Sequence, residues 1–158
     1  MRRIALVLAL VLAAQLPLPA HAGGGPKLLD MVALLPLADG AHPDIDDLLA
    51  RFWHGYYRVE SEYGFGPADV RAGRVDLNGD GQAELVLEID KPKWRGSEGQ
   101  PLVIATWRDH RWLPVGWGWT DQDCVFVTDE VIDRWSTVDA GNFLMRWTAD
   151  GYRRDRKK

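Results

Sequence analysis

One cysteine, Cys124, occurs in the 158 residues, so no disulfide can form within the chain. Its flanks, Val125-Phe126-Val127, read as a buried strand, where a thiol behaves as a small hydrophobe. In an exported chain an odd cysteine can instead be a reactive thiol or a link between molecules. Histidine is also scarce. His42, His54 and His110 have no neighbouring His, Cys or acid at zinc-ligand spacing. Neither Gly-x-Ser-x-Gly nor a phosphate-cradling glycine loop occurs. Glu60 and Glu62 are two apart on a predicted helix and do not face each other, so they make no carboxylate pair. The expectation is that the chain is not an enzyme. Concentrated positive charge is missing too. The formal charge is −4, and removal of Arg2 and Arg3 takes it to −6, which argues against nucleic acid as a partner.

Long apolar runs are confined to the N-terminus. Arg2-Arg3, the run Ile4 to Leu12 and the small-x-small triplet Ala20-His21-Ala22 together predict a signal peptide over 1–22, cleaved after Ala22. That run is too short for a stable membrane anchor and no second one follows, so the expected compartment is the periplasm or the outside of the cell. Residues 23–42 then form a flexible leader (Gly23-Gly24-Gly25-Pro26) and an apolar stretch, Leu28 to Leu37, broken by Pro36 and read as a short helix or docking segment. Residues 43–152 are sized for a single domain. The basic end 153–158 reads as a solvated tail.

Within the domain, Pro43 and Asp44 open a helix whose apolar face is Ile45, Leu48, Leu49, Phe52 and Tyr56, widened by Trp53 and Tyr57, and which stops before Gly64. From Val70 onward the texture is that of strands. Arg74-Val75 leads into an acidic turn, Leu85 to Ile89 leaves it, and Leu102 to Trp107 pairs with Trp112 to Trp119 across Asp109-His110. Further strands fall at Cys124 to Thr128, Trp135 to Val138 and Phe143 to Thr148, with Asp150-Gly151 as the last turn. This predicts an α+β fold: an N-terminal helix packed on a mostly antiparallel sheet that carries a calcium-binding hairpin turn.

The acidic turn is Asp76-Leu77-Asn78-Gly79-Asp80-Gly81-Gln82-Ala83-Glu84. Calcium takes six to eight oxygens, several of them anionic, on tightly curved backbone. Asp76, Asn78 and Asp80 alternate, so one arc of chain can aim three side-chain oxygens at one point. Gly81 permits the sharp turn, the carbonyl of Gln82 is placed as a backbone ligand, and Glu84 can close the shell. A hydrogen-bonded hairpin turn is the competing reading, because Asn-Gly and Asp-Gly are strong hairpin signals. Repulsion among Asp76, Asp80 and Glu84 without a cation favours Ca2+, and magnesium, which keeps its waters, fits less well. An EF-hand would place its bidentate acid where Leu87 stands, and its flanks would be helices.

The shorter pattern, Val75 to Gly81 followed by Glu84-Leu85-Val86-Leu87 with a strand on each side, resembles the calcium turns of FG-GAP and VCBS-type segments. Those families place Asp where Glu84 stands. The stretch from Asp76 to Tyr152 also resembles a loose group of small periplasmic proteins. In them the turn is followed by a strand, a Cys-Gly-Ser-Gly-Gly-Cys loop, two tryptophan strands and a final Tyr. Trp94 to Gly99 occupies that loop here, without either cysteine, and Trp112, Trp135 and Tyr152 match the aromatic positions. Some members resemble periplasmic lysozyme inhibitors or immunity proteins against secreted cell-wall hydrolases. The resemblance therefore implies a binding or inhibitor module with a cell-wall hydrolase as partner.

Tryptophan is abundant, with eight in the chain. In Val115 to Trp119, Trp117 and Trp119 share one face of a strand and Gly116 and Gly118 leave the other bare. The rings are either core, packed under the helix with the glycines making room for it, or a platform for a partner. Trp94, in a polar loop, is a candidate exposed contact. Trp94, Trp117 and Trp119 are thus candidate partner-binding residues. The alternative function they raise is a glycan- or envelope-binding structural protein that recognises peptidoglycan.

Overall fold

The computed structural model describes residues 26–37 and 42–157. The predicted signal peptide and most of the leader lie outside these residues. The elements are β1 (Leu28–Ala33), β2 (Leu35–Pro36), α1 (Pro43–Phe52), a 3-10 turn (Pro67–Asp69), β3 (Val70–Val75), β4 (Glu84–Ile89), β5 (Gln100–Arg108), β6 (Arg111–Thr120), β7 (Cys124–Ile132), β8 (Trp135–Asp139), β9 (Phe143–Thr148) and β10 (Gly151–Arg156).

The ten strands form one sheet in the order β1-β7-β8-β9-β10-β6-β5-β4-β3-β2. Its two edges, β1 and β2, are halves of one N-terminal segment with Leu34 between them. β1 pairs antiparallel with β7 and β2 antiparallel with β3. Leu34 N–H donates to the Asp123 carbonyl at 3.0 Å, and Leu37 N–H to the Val70 carbonyl at 2.8 Å. The segment thus staples the sheet into a nearly closed barrel, which leaves little edge open to another chain.

This corrects the α+β expectation. Strands make up 54% of the described residues and helix only 10%, so the fold is mostly β. Three misreadings account for the difference. The stretch Leu28 to Leu37, expected as a helix or docking segment, is extended; its partners lie about a hundred and about thirty-five residues away, and no local periodicity records such pairing. The helix, expected to run toward Gly64, ends at Phe52, leaving Phe52 and Tyr56 exposed. Arg153 to Arg156, expected as a tail, pair with β9 as part of β10.

Two apolar clusters lie on opposite faces of the sheet. Inside the barrel are Val32, Leu34, Leu77, Val86, Leu102, Ile104, Val125, Val138, Met145 and Tyr152. Outside, Ile45, Leu48 and Leu49 of the short helix cover Leu85, Leu87, Ile89 and Ala105. β4 is therefore buried on both faces along its whole length, which explains why Leu85 to Ile89 reads as a near-continuous apolar run rather than an alternation. The same alternation sends Glu84 and Glu88 into the barrel with Val86.

β10 joins β6 in parallel through a single registered pair, Tyr152 with Gly116. A Cβ on Gly116 would stand 2.4 Å from that of Tyr152. The glycine-bare face of β6 thus turns inward and makes room for β9 and β10, not for the helix. Among the described residues no helix is long and apolar enough to cross a membrane.

Candidate functional site

The acidic turn connects β3 to β4 at one mouth of the barrel. Leu77 anchors it: its side chain is buried in the barrel core, and its carbonyl accepts from Ser136 N–H at 2.7 Å. The Ser136 carbonyl in turn accepts from Tyr152 Oη at 2.7 Å. Gly79 and Gly81 adopt φ of 72° and 86°, the left-handed region that glycine enters at little cost. With that curvature, Asp76 accepts from Gly79 N–H at 2.7 Å and from Gly81 N–H at 2.8 Å. Asn78 Oδ1 accepts from Asp80 N–H, and Asp80 Oδ1 from Gln82 N–H, both at 2.8 Å. Backbone amides, that of Gly81 foremost, hold the Asp76 carboxyl below its ordinary range and so keep it ionised.

Glu84 plays a different part. It is buried, and Oε2 accepts from Leu77 N–H at 2.8 Å while Oε1 accepts from Thr106 Oγ1 at 3.0 Å and Asn78 Nδ2 at 3.3 Å. Burial raises its pKa, and the charges of Asp80 and Asp76 raise it further. Glu84 braces the turn from beneath instead of joining Asp76 and Asp80 around one point. The Gln82 side chain is likewise spent, its Nε2 donating to the Trp107 carbonyl at 3.1 Å, which leaves its own carbonyl as the group to consider. Among the described residues no three His, Cys, Asp or Glu side chains are gathered for a metal. The oxygens the turn can offer a cation are therefore those of Asp76 and Asp80, the Asn78 amide and backbone carbonyls. A crevice lined by Asn78, Asp80, Asp133, Arg134 and Trp135 separates the turn from the β7–β8 hairpin.

The three candidate tryptophans fall into two places. Trp94 is half-buried at the edge of the outer cluster, its ring meeting Trp53, Tyr56 and Phe65 edge-on at 6.2, 5.1 and 5.4 Å between centroids. Its Nε1 donates to the Tyr63 carbonyl at 2.8 Å. Together Trp53, Tyr56, Tyr63, Lys93 and Trp94 line an open groove of about 470 Å³, with Lys93 ion-paired to Glu62. Tyr56 and Tyr63 were missed as site residues. Helical spacing assigned Tyr56 to a buried face, and Tyr63 lies in a loop with no pattern of its own; its nearness to glycines 64 and 66 was the only signal.

Trp117 and Trp119 lie on the outer surface of β6, 4.9 Å apart in a tilted pair. Trp117 is 52% exposed, and the Arg154 guanidinium sits 4.5 Å over the Trp119 ring. Of the two readings of these rings, packing beneath the helix does not hold, because the helix meets β6 at its other end, where Trp112 donates from Nε1 to Asp44 at 2.8 Å and accepts from Arg51 at its carbonyl at 2.9 Å. Cys124 is half-buried rather than fully enclosed, and burial pushes its thiol up. Comparison with known families, with characterised proteins and with solved structures finds no match.

Proposed function

We propose that the chain is an exported, calcium-braced binding module whose partner surface is the aromatic groove around Trp94. The observation that carries this reading is the groove itself. Tyr56 and Tyr63 are 45% and 50% exposed, on a rigid backing of edge-packed rings, beside a charged pair. Exposed aromatics held in a fixed pose lose little entropy on binding and are the side chains that dominate interface energies. Calcium would be held by Asp76, Asn78, Asp80 and the Gln82 carbonyl, tying the turn down at the barrel mouth. In support, neither aspartate takes part in an ion pair among the described residues. Millimolar calcium outside the cytoplasm would fill even a weak site of this kind.

For the partner we favour a secreted cell-wall hydrolase, on the partial resemblance carried by the acidic turn and the aromatic positions after it. With Tyr56 and Tyr63 both replaced by alanine, affinity for a captured hydrolase should fall at least tenfold, since truncating a hot-spot aromatic costs about 2 kcal/mol or more. Surface plasmon resonance against lysozyme-like enzymes and amidases measures this, and an unchanged affinity would place the partner elsewhere. The exposed Trp117 ring favours a second reading, stacking on a peptidoglycan sugar. That reading requires tryptophan quenching by muropeptides that Trp117→Ala removes.

A further inference from the structure

Glu88 is fully buried and neither of its carboxylate oxygens has a hydrogen-bond partner. The Gln100 amide oxygen is buried and unpartnered as well. Strand register places the two close together inside the barrel, since Glu88 is opposite Leu102 and Gln100 lies two residues before it on the same face. Acceptors left without a donor in a dry interior are costly, and an ionised one most of all. A proton on Glu88 removes its charge and adds a donor to this interior, where the Gln100 amide nitrogen is already spent on Asp90 at 2.6 Å.

The surroundings connect this carboxyl to the barrel's closure. On β3, Arg71 is registered with Glu88 on one side and with Pro36 of β2 on the other. Its guanidinium is already engaged, reaching Asp90 at 2.7 Å and Asp123 at 3.4 Å. The Asp123 carbonyl is the group that accepts Leu34 N–H at the centre of the staple. Besides Arg71, Asp90 and Asp123, the charged or titratable groups near Glu88 are Arg95 from the β4–β5 loop and, at the start of β7, the neutral Cys124 thiol. None of these is a free cation inside the barrel.

We propose that Glu88 is a proton-operated latch on the barrel seam. Protonated, it lets the β1–β2 segment close the sheet between β7 and β3; ionised, it draws Arg71 away from Asp90 and Asp123 and loosens the staple. The supporting direction is that burial pushes the Glu88 carboxyl up to about 7, an effect that Asp90 and Asp123 reinforce and Arg71 opposes. The latch does not depend on the calcium reading.

Hydrogen exchange of the full chain, corrected for intrinsic rates, tests it. Between pH 5.5 and 8 the amides of residues 32–35 and 37 should lose protection about twentyfold, as expected when opening releases a carboxylate into water. They should do so ahead of the centres of β5 and β6, and Glu88→Gln should abolish the pH dependence. Seam amides that exchange only together with the core, or a Glu88→Gln variant with the same pH dependence, would overturn the latch. If that variant does not fold, carbon-detected titration of Glu88 in the unaltered chain decides. A midpoint near 7, shared by the Leu34 amide shift, supports the latch, and an ordinary carboxylate midpoint refutes it.

Discussion

Glu88→Met raises the melting temperature by roughly 6–10 °C at pH 8 and leaves it nearly unchanged at pH 4. The sign follows from which state holds the proton. Burial lifts the folded-state pKa of Glu88 from 4.5 to about 7, so between these values the folded chain keeps a proton that the unfolded chain has lost. Stability therefore falls as pH rises across that window and levels off above 7. At about 1.4 kcal/mol per pK unit, the full cost above pH 7 is about 3 kcal/mol. Methionine has similar length and no charge, and its neighbours on this face, Val86 and Leu102, are apolar. At pH 4 the Glu88 carboxyl is protonated in the folded chain and mostly so in the unfolded one, so the electrostatic gain is nearly absent. Thermal melts followed by circular dichroism at the two pH values read the difference directly. Equal gains at both would mean that methionine acts by packing alone.

Gly116→Val has the largest effect in the other direction, destabilising by about 3 kcal/mol or more. The new Cβ would lie 2.4 Å from the Tyr152 Cβ and 3.2 Å from the Tyr152 carbonyl oxygen. Backbone must move to relieve such a contact, and the backbone in question is the one registered pair linking β10 to β6. Losing that pair opens the sheet between its two halves. Tyr152 also contacts the stacked pair Trp135–Trp147, 4.0 Å apart and nearly parallel, so near-ultraviolet circular dichroism should weaken along with urea stability. Gly118→Ala supplies the contrast. Its nearest neighbour is the Met145 sulfur at 2.8 Å, part of a flexible side chain that can turn aside, and the cost should stay below about 1 kcal/mol.

These two residues also mark what could be read from the chain alone. The inward face of β6 was visible as Gly-x-Gly between tryptophans, but the element it accommodates was not, because β10 comes from thirty-six residues further on. The two-residue turn at Asp109-His110 was legible from local chemistry and adopts φ of 53° and 59°, as a tight hairpin requires. Ile45, Leu48 and Leu49 were legible as a buried helical face. Leu28 to Leu37 was not, since β1 buries only Val32 and offers no alternation to count. β10 was hidden for a related reason: Arg153 to Arg156 are exposed, and their ladder bonds belong to the backbone whatever the side chains are. Glu88 sits in an apolar run that marks a strand, yet only closure of the barrel determines that its face is inside.

At the acidic turn, spacing placed Asp76, Asn78 and Asp80 on one arc, and the backbone curls as those residues imply. The role of Glu84 depended on Thr106, a residue of the neighbouring strand that no local pattern could supply. The turn as built is a hydrogen-bonded loop at the barrel mouth with two carboxylates that form no ion pair among the described residues.

Whether that loop holds calcium is decided by melting the chain in 5 mM calcium and in chelator, alongside Asp80→Ala. For a site with a dissociation constant on the order of 0.1 mM, calcium adds about 2 kcal/mol and raises the melting temperature by about 5 °C. Asp80→Ala should melt identically in both solutions. If the unaltered chain also melts at the same temperature with calcium and with chelator, the turn is a hairpin held by its own hydrogen bonds, and the calcium-braced account is wrong.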